Sequence, residues 1–329
     1  MAKEKDKKEK FGLEEAIHAL NKKFGDNYIN TNNTAEALPR ISTGVFALDI
    51  AIGGGMPFKK VMTVAGEYSS GKTTVALLTA AQFQKAGKKV VFIDTDHGLD
   101  TQWAQKLGVD ISQMTIIQPD YIEQVSDTIE TLLMTGEIGL IIFDSVANTP
   151  SKSELDESCE QDSMGGIGKA MARMMRKITK RLQHTDSSVI IINQLRDKIG
   201  GYGHLEYMPG GRALKFQSDI IVWLRPSNWI PETGEPRIGK TSKFRVNKNR
   251  TAPPLITGEF DIYFEGKVDN NKAIVNEALA KGICFKSGGW FWYSDKNHKT
   301  QGKDNFIKKA IKHNKMEEIK QRLLNLKDI

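Results

Sequence analysis

Residues 66–73 of this 329-residue chain read Gly-Glu-Tyr-Ser-Ser-Gly-Lys-Thr, and no other segment constrains the fold as strongly. An apolar run, residues 61–64, precedes them, and a helix-favouring stretch, residues 74–81, follows. A strand, a glycine loop and a helix start in this order form a cradle for phosphates, lined by backbone N–H groups and the positive end of the helix dipole. A chance glycine turn is the alternative, but every fixed position and both flanking elements are present. The sequence therefore predicts an ATP or GTP site at Gly66, Glu67, Tyr68, Ser69, Ser70, Gly71, Lys72, Thr73 and Thr74.

Length and composition indicate a globular protein of the cytoplasm. With 39% apolar residues, the chain is long enough for one large α/β core and a small accessory domain. The longest apolar runs, such as residues 138–143, are too short to cross a membrane, and the N-terminus lacks a signal-peptide core. Cys159 and Cys284 lie far apart and in no Cys/His array, which predicts reduced thiols rather than a disulfide framework or a zinc site.

Short Val/Ile-rich runs alternate with amphipathic segments between residue 41 and about residue 225. This pattern predicts an α/β fold with a mostly parallel central sheet, covered on both faces and binding ligands at the carboxyl ends of its strands. The predicted strands are residues 61–65, 90–93, 115–117, 140–143, 189–192 and 220–224.

The chain divides into three parts by pattern and charge. Apolar residues at helical spacing predict an N-terminal helix before Gly25, within a helix-and-linker part, residues 1–35. A core, residues 36–268, is followed by a basic C-terminal domain, residues 269–329, where the texture changes. From residue 265 onward 14 Lys and Arg stand against 8 Asp and Glu, within a net charge of +7 for the whole chain. Charge alone leaves open a solvated surface or a face that binds polyanions.

Polar residues at predicted strand ends complete the nucleotide site. Asp144 ends an apolar strand, where an acid of phosphate-loop ATPases holds Mg²⁺ beside the loop Thr73. Asp94 and Asp96 share one face of an extended chain, so one of them can polarise the attacking water while the other is structural. Gln194 ends another strand and is suited to sense a γ-phosphate. Local backbone capping is the alternative for each of these residues.

Two basic segments flank the predicted sheet. Residues 195–211 are rich in glycine and contain Arg196, Lys198 and Tyr202, with Arg212 just beyond. Residues 154–168 are expected to be irregular. The helix after them carries Lys169, Arg173, Arg176 and Lys180 on one face and Met171, Met174, Ile178 and Leu182 on another. A solvated surface is the alternative, but two basic elements beside one ATPase sheet favour a hold on a nucleic-acid backbone.

These residues closely resemble the bacterial RecA recombinases, DNA-dependent ATPases that polymerise on single-stranded DNA and exchange strands. The resemblance runs through nearly the whole chain. It is carried by Ile41-Ser42-Thr43-Gly44, Leu48-Asp49-Ile50-Ala51, Ser69-Ser70-Gly71-Lys72-Thr73-Thr74, His97 with Leu99-Asp100, Lys106-Leu107-Gly108-Val109-Asp110, Gln118-Pro119-Asp120, Asp144-Ser145-Val146-Ala147, Asn193-Gln194 with Arg196, Lys198-Ile199-Gly200, Gly210-Gly211, Ala213-Leu214-Lys215-Phe216, Lys248-Asn249-Arg250 and Gln301-Gly302-Lys303.

The resemblance implies a RecA-type ATPase core that uses ATP and Mg²⁺ and forms a helical homo-filament on single-stranded DNA. The filament would pair that strand with a homologous duplex in recombination and repair. The N-terminal helix would join subunits, and the C-terminal domain would capture duplex DNA.

The family's site residues carry over position by position. Asp96 and Gln194 match the catalytic base and the phosphate sensor, and Asp100 and Trp103 match contacts to the adenine. Residues that match or flank the DNA-binding loops are Met164, Lys169, Arg173, Arg176, Arg196, Lys198, Ile199, Tyr202, Gly210, Gly211 and Arg212. Lys248 and Arg250 match catalytic cations that reach the γ-phosphate of the neighbouring subunit, and Phe216 matches an interface residue that relays nucleotide state.

Several positions depart from the family pattern. Asp96 stands where relatives usually carry Glu, and the missing methylene withdraws the carboxylate by about 1.5 Å from a contact that should be near 3 Å. Slow hydrolysis with nucleotide binding retained is therefore expected. Tyr68 replaces a Glu, with Glu67 beside it as a substitute, Trp103 replaces a Tyr, and Arg250 replaces a Lys. The segment 195–211 is about one residue shorter than in familiar members.

The chain ends at Ile329 without the acidic tail that restrains duplex binding in many relatives. Salt-sensitive capture of duplex DNA by the C-terminal domain is therefore expected. Two other functions are weighed against the recombinase. A ring-forming, helicase-like motor would use a related core, and a regulatory filament would bind DNA and nucleotide but scarcely turn over. Divergence at several site positions fits a phage-encoded copy as well as a cellular one.

Overall fold

A computed structural model describes residues 12–25, 29, 38–156, 166–197, 206–231, 236–295 and 298–325. The chain forms two compact units, Met1–Leu38 and Pro39–Ile329. In the first unit, the expected N-terminal helix is present as α1 (Leu13–Phe24). It begins with a hydrogen bond from Gly12 N to Glu15 Oε2 at 3.2 Å. None of its residues is buried, and Leu13 is 78% exposed.

The second unit alternates strands and helices as the pattern predicts. In chain order, its core consists of β1 (Arg40–Ile41), α2 (Phe46–Ile52), β2 (Met56–Pro57), β3 (Val61–Gly66), α3 (Lys72–Lys85), β4 (Lys89–Asp94), α4 (Thr101–Lys106), β5 (Met114–Ile117), α5 (Ile122–Met134), β6 (Ile138–Asp144), α6 (Lys152–Asp156), α7 (Gly166–Leu182), β7 (Ser188–Gln194), β8 (Arg196–Asp197), β9 (Glu206–Tyr207), α8 (Gly211–Gln217), β10 (Ile220–Ile230), β11 (Gly239–Asn249), β12 (Thr257–Tyr263) and β13 (Lys267–Asp269). A short 3₁₀ turn, Ile111–Gln113, precedes β5.

Nine strands form the central sheet, in the order β13-β12-β11-β10-β3-β7-β6-β4-β5. The six strands from β10 to β5 run parallel, and β11, β12 and β13 extend the sheet in antiparallel pairs. The predicted α/β fold with a mostly parallel sheet is therefore confirmed. All the predicted strands are present, and β10 runs six residues beyond its predicted end at Leu224, because it pairs with β11 as far as Ile230.

Both faces of the central part of the sheet are covered, which explains why β3, β4, β6 and β7 are largely apolar. Successive residues of β3 alternate between two buried clusters, with Val61 in one and Met62 and Val64 in the other. Helix α3 covers the face of Met62 and Val64, and helices α5 and α7 cover the face of Val61. Burial on both faces is the environment in which a parallel sheet of Val and Ile is stable.

The expectation that residues 154–168 are irregular is wrong at both ends. Helix α6 ends at Asp156, and α7 already begins at Gly166. Glu154 stabilises the start of α6 because its Oε2 accepts a hydrogen bond from Ser151 N at 2.6 Å. Residues 157–165 lie outside the described part of the chain.

The C-terminal part contains α9 (Asn271–Ala280), β14 (Cys284–Ser287), β15 (Trp290–Tyr293), β16 (Thr300–Gln301), α10 (Lys303–Lys312) and α11 (Lys315–Asn325). Residues of α9, β14, β15, α10 and α11 share a hydrophobic core with Phe46 of α2. Phe46 N also donates to Asn270 Oδ1 at 2.8 Å. The predicted boundary at residues 268 and 269 falls within β13, the last strand of the central sheet. Within the described part of the chain, no helix is long and apolar enough to cross a bilayer.

Candidate nucleotide and DNA site

The predicted phosphate loop connects β3 to α3 at the carboxyl end of the central sheet. Gly71 precedes the helix with φ at +92°, a conformation that disfavours residues with a side chain. A Cβ at this position would also come within 2.8 Å of Ile262 Cδ1. Gly71 O accepts from Val75 N at 2.9 Å, so the loop passes directly into the first turn of α3. This geometry places the helix N-terminus at the loop, as a phosphate site requires.

Lys72 lies across the loop. Its Nζ donates to Glu67 O at 2.7 Å, which joins the two ends of the loop. Loss of solvent lowers the pKa of Lys72, and the negative charge of Asp144 acts in the opposite direction. The ammonium is thus held beside the backbone groups that would surround a phosphate.

Thr73 and Asp144 meet as the sequence predicts. Thr73 Oγ1 donates to Asp144 Oδ2 at 2.8 Å. Loss of solvent raises the pKa of Asp144 to about 6, against the lowering effect of the hydrogen bond from Thr73. Hydroxyl and carboxylate oxygens are the donors that Mg²⁺ prefers, and this ion usually takes only one or two of them from a protein. The pair therefore fits a magnesium ion shared with a polyphosphate.

Asp94 and Asp96 differ in their surroundings. Asp94 is buried, and its two carboxylate oxygens accept from the backbone N of Gly98 at 3.1 Å and of Leu99 at 3.2 Å. Asp96 instead accepts from Ser145 Oγ at 3.2 Å and from Asn148 Nδ2 at 2.9 Å, beside Asp144. The structural role therefore fits Asp94, which leaves Asp96 as the candidate base.

The end of β7 connects the phosphate loop to segment 195–211. Gln194 pairs in register with Gly66, the last residue of β3. The next residue, Leu195, donates its backbone N–H to Gly66 O at 3.1 Å. Asn193 Nδ2 donates to Pro209 O at 2.8 Å, so both ends of the segment are attached to this strand end.

Asp100 and Trp103 lie beside the first turn of α3. Asp100 Oδ1 accepts from Trp103 N at 2.9 Å and caps the start of α4. Trp103 Nε1 donates to Thr74 Oγ1 at 3.4 Å. The indole predicted to contact an adenine therefore adjoins the phosphate loop.

Among the described contacts, the side chains of Glu67 and Tyr68 form no hydrogen bond or ion pair with Thr73 or Asp144. Tyr68 is 90% exposed. The Glu67 carboxylate lies 3.8 Å from the Arg225 guanidinium, so its ion pair is with β10 rather than with the metal pair. The suggestion that Glu67 substitutes for the usual Glu at position 68 gains no support from this contact.

Lys248 and Arg250 lie near the end of the sheet opposite the phosphate loop. Lys248 of β11 pairs with Ile221 of β10, and Ile221 pairs in turn with Thr63 of β3. Thr63 lies three residues before Gly66, where the phosphate loop begins. This spacing is about 10 Å along the sheet. Lys248 Nζ and an Arg250 guanidinium nitrogen both donate to Phe216 O, at 2.7 and 2.9 Å.

The residues predicted to bind DNA are only partly described. On α7 the four basic residues of the stripe are exposed, while Met171, Met174, Ile178 and Leu182 are buried, so the predicted division of its faces is confirmed. Arg196 is exposed and donates to Ala147 O at 3.1 Å. Gly210 and Gly211 have left-handed φ angles of +90° and +76° at the start of α8, next to the exposed Arg212. Met164, Lys198, Ile199 and Tyr202 lie outside the described residues.

Three residues of β10 and β11 contact the phosphate loop or its surroundings without having been predicted from the sequence. Lys240 Nζ hydrogen-bonds to Ser69 O, and Ser242 Oγ donates to Ser70 O at 2.6 Å. Arg225 hydrogen-bonds to Glu206 and pairs with Glu67. The three follow the loop by more than 150 positions, so only the order of strands in the sheet identifies them.

Comparison with known proteins shows which family and which fold this chain is similar to. The sequence profile of the RecA N-terminal domain matches residues 11–269. Protein RecA of Sulfurimonas denitrificans is 37% identical and aligns with 96% of this chain and 94% of its own. Protein RecA of Aquifex pyrophilus is 38% identical over 94% of this chain and 90% of its own. The crystal structure of the RadB recombinase shares the fold, with a TM-score of 0.54, 24% identity, and coverage of 69% of this chain and 97% of that one.

Proposed function

The chain belongs to the RecA family, and on that premise we propose that ATP bound at its phosphate loop controls its hold on single-stranded DNA. It is a DNA-dependent ATPase and a recombinase that catalyses strand exchange in DNA recombination and repair. The proposed form is a helical filament of identical subunits that holds one strand for pairing with a homologous duplex. Because its substrate is DNA, we propose that it works in the cytoplasm.

One observation supports the coupling of nucleotide to DNA more than any other. The phosphate loop and segment 195–211 are joined by the hydrogen bond from Leu195 N to Gly66 O, next to Gln194. A change at Gln194 on contact with a γ-phosphate would therefore act directly on the segment that we propose binds DNA. Arg196 and Arg212 would contact phosphates of the strand, and the stripe on α7 would extend that contact.

Thr73 and Asp144 are the residues that we propose hold Mg²⁺. When bound, this ion neutralises charge on the transferred phosphoryl group and its leaving oxygen. Asp96, which shares this end of the sheet, would accept the proton of the attacking water. Asp100 and Trp103 would orient the base of the nucleotide.

The neighbouring subunit is proposed to complete the site. Lys248 and Arg250 are too far along the sheet to serve the phosphate loop of their own chain, and they lie at the exposed Phe216. In a filament, they would reach the γ-phosphate held by the adjacent copy. The apolar side chains of α1, which are unburied, would pack on another copy of this chain.

Duplex DNA is proposed to contact the C-terminal part of the chain. Helix α10 presents Lys308, Lys309 and Lys312 at its surface. Exposed ammonium groups on one helix bind phosphates without base specificity, and such binding weakens steeply with salt. Replacing all three by Gln should weaken duplex capture by the whole protein and flatten its salt dependence, whereas single-strand binding with ATP should persist. Equal losses for both DNA forms would contradict this assignment.

A single experiment tests the proposed function as a whole. ATP hydrolysis would be measured with and without single-stranded DNA, and the same samples would be viewed by electron microscopy with ATP or a non-hydrolysable analogue. Filaments and DNA-stimulated hydrolysis are expected, and closed rings that unwind duplexes would identify a motor instead. A second candidate outcome is filaments that hydrolyse hardly any ATP, because the side chain of Asp96 is short. In that case the protein would act as a structural regulator.

A further inference from the structure

Two side chains of β11 contact the phosphate loop, although β11 lies outside the loop motif at residues 66–73. Lys240 and Ser242 are two residues apart on the strand and therefore share a face. They contact the carbonyl oxygens of two consecutive loop residues, Ser69 and Ser70. Ser69 has a left-handed φ of +55°, uncommon for a residue with a Cβ, and its carbonyl is directed toward Lys240.

Lys240 brings a second ammonium group to this loop. Its positive charge is one of the causes that lower the pKa of Lys72, so the two cations are close enough to repel each other. Each is hydrogen-bonded to a loop carbonyl, Lys72 to Glu67 O and Lys240 to Ser69 O. The negative charges of Asp144 and Glu67 act on Lys72, whereas no described anion acts in this way on Lys240. Two ammonium groups at one short loop repel each other, and an anion bound between or beside them would relieve that repulsion.

No described carboxylate compensates the charge of Lys240. Loss of solvent is the cause that lowers its pKa, and no ion pair with a described residue opposes it. Glu67, the acid of the loop, pairs with Arg225 instead. A partly buried cation without a counter-ion is costly, and a bound polyphosphate would supply the missing negative charge.

We propose that Lys240 is a second phosphate-binding cation of this site, which acts within its own subunit beside Lys72 on the β- and γ-phosphates of ATP. An ammonium carries three N–H donors, and the contact to Ser69 O uses one of them. The role of Lys240 depends on the proposed binding of ATP at residues 66–74. It adds to that site a cation that comes from the antiparallel extension of the sheet.

The competing explanation is that Lys240 only supports the loop by holding the Ser69 carbonyl. Ser242 does this for Ser70 with an uncharged hydroxyl, so charge is unnecessary for support. The substitution Lys240→Gln separates the two roles, since an amide can still donate to Ser69 O but has no charge. Lys240→Arg keeps the charge, and Lys243→Gln removes a lysine from the same strand on the opposite face.

The test is a titration of the full-length protein with fluorescent ATP and ADP analogues in the presence of Mg²⁺ and without DNA. For Lys240→Gln, the Kd for ATP should rise by about ten- to a hundredfold, because a charge-assisted hydrogen bond is lost. The Kd for ADP, which has one phosphate fewer, should rise less. Lys240→Arg should retain most of the ATP affinity, and Lys243→Gln should bind like the wild type.

Each contrary outcome has a distinct meaning. If Lys240→Gln binds ATP as tightly as the wild type, Lys240 is not a phosphate ligand, although the proposed nucleotide site stands. If its ATP and ADP affinities fall equally, and Ser242→Ala gives the same result, Lys240 only supports the loop. If the wild type binds neither nucleotide, the proposed function fails together with this inference. Unchanged melting curves for each variant would exclude loss of folding as the cause.

Discussion

Both hydrogen bonds to Asp96 converge on one carboxylate oxygen. Ser145 Oγ and Asn148 Nδ2 donate to Oδ2, at 3.2 and 2.9 Å. These contacts fix the orientation of a side chain that is one methylene shorter than the Glu that the family resemblance implies at this position. Since the anchoring groups come from the segment after β6, the carboxylate cannot advance toward a phosphate without leaving them. The hydrogen bonds that orient the Asp96 carboxylate therefore also keep this short side chain from extending toward a bound phosphate.

Lengthening the side chain tests whether reach limits the reaction. Asp96→Glu should raise DNA-stimulated ATP hydrolysis by about tenfold, a part of the 10²- to 10⁴-fold that a positioned general base contributes. The Kd for ATP should change little, because the base contacts water rather than the nucleotide. Asp96→Asn is the matched control and should abolish the remaining hydrolysis. An unchanged or lower rate for Asp96→Glu would remove Asp96 from the role of base.

The carboxylate of Asp144 should cost folding stability in the absence of a metal ion. Because its pKa is raised to about 6 in the folded protein, the folded state binds a proton more tightly than the unfolded chain. The free energy of unfolding should therefore fall as the pH rises from about 4 to 6 and remain lower above that range. Asp144→Asn should be more stable at pH 7, on the order of 1 kcal/mol, and should lose the pH dependence.

Thermal unfolding without Mg²⁺ between pH 4 and 8 measures this effect. Asp94→Asn is the control, and it should destabilise the fold because both carboxylate oxygens of Asp94 hold backbone N–H groups. Asp144→Asn should also lose the effect of Mg²⁺ on nucleotide affinity. Lower stability of Asp144→Asn at pH 7 would show that its hydrogen bond from Thr73 outweighs the cost of the buried charge.

At the scale of elements, β10 connects the phosphate loop to the base of segment 195–211. Arg225 near its middle pairs with Glu67 at 3.8 Å and hydrogen-bonds to Glu206 of β9. The backbone bond from Leu195 N to Gly66 O joins the other end of the same segment to the loop. The segment is thus attached to the nucleotide site at its beginning through the main chain, and its second half is held by Arg225 at Glu206 in addition to the bond from Asn193 to Pro209.

Replacing Arg225 should weaken the effect of the nucleotide on DNA affinity but not the binding of ATP itself. Arg225→Gln should bind ATP nearly as well as the wild type, since the guanidinium contacts the outward-facing Glu67. Its affinity for single-stranded DNA should depend less on the nucleotide. The ratio of the DNA affinity with ATP to the DNA affinity with ADP should fall about three- to tenfold, which corresponds to about 0.7 to 1.4 kcal/mol.

Fluorescence anisotropy of a labelled oligonucleotide measures that ratio. Glu206→Gln should reproduce the effect, and Arg181→Gln, which removes an arginine paired with Glu130 away from the loop, should not. If Arg225→Gln lowers DNA affinity equally with both nucleotides, Arg225 is a DNA contact and not a connection between the two sites.

At the scale of the whole molecule, the two proposed halves of the nucleotide site lie at different ends of the sheet of one subunit. Gly66 to Thr73 lie at the carboxyl end of β3, whereas Lys248 is level with Thr63. A contact between two different surfaces of identical subunits repeats indefinitely unless its rotation closes a ring. Such a contact would make ATP hydrolysis a property of the assembly.

Mixing two inactive variants tests this arrangement. Lys72→Ala should lose its own nucleotide site but still supply Lys248 to a neighbour, whereas Lys248→Ala should have the opposite defect. In an equal mixture that assembles at random, about a quarter of the sites should be intact and hydrolysis should reappear. Mixing Lys72→Ala with the double variant Lys72→Ala/Lys248→Ala provides the control, since no intact site can form. Recovery no greater than in this control would place Lys248 outside the shared site.

Much of the fold and part of the site follow from local sequence, because their signals lie within one or two elements. The run from β3 through residues 66–73 to α3 specifies a phosphate loop by itself, and buried Val and Ile runs specify the parallel strands. Asp144 is identified because an acid ends such a run. The alternation of Arg176 with Met174 and Ile178 likewise specifies the exposed and buried faces of α7.

Tertiary structure alone decided which residues distant in the chain contact the phosphate loop and which of two neighbouring acids is the candidate base. Asp94 and Asp96 have similar sequence environments, and only the turn at Gly98 and the proximity of Asn148 distinguish their roles. Lys240 and Arg225 reach the phosphate loop because β10 and β11 extend the sheet beside β3. Pairing between strands distant in the chain is set by the packing of the whole core, so no local pattern encodes which side chains it brings together.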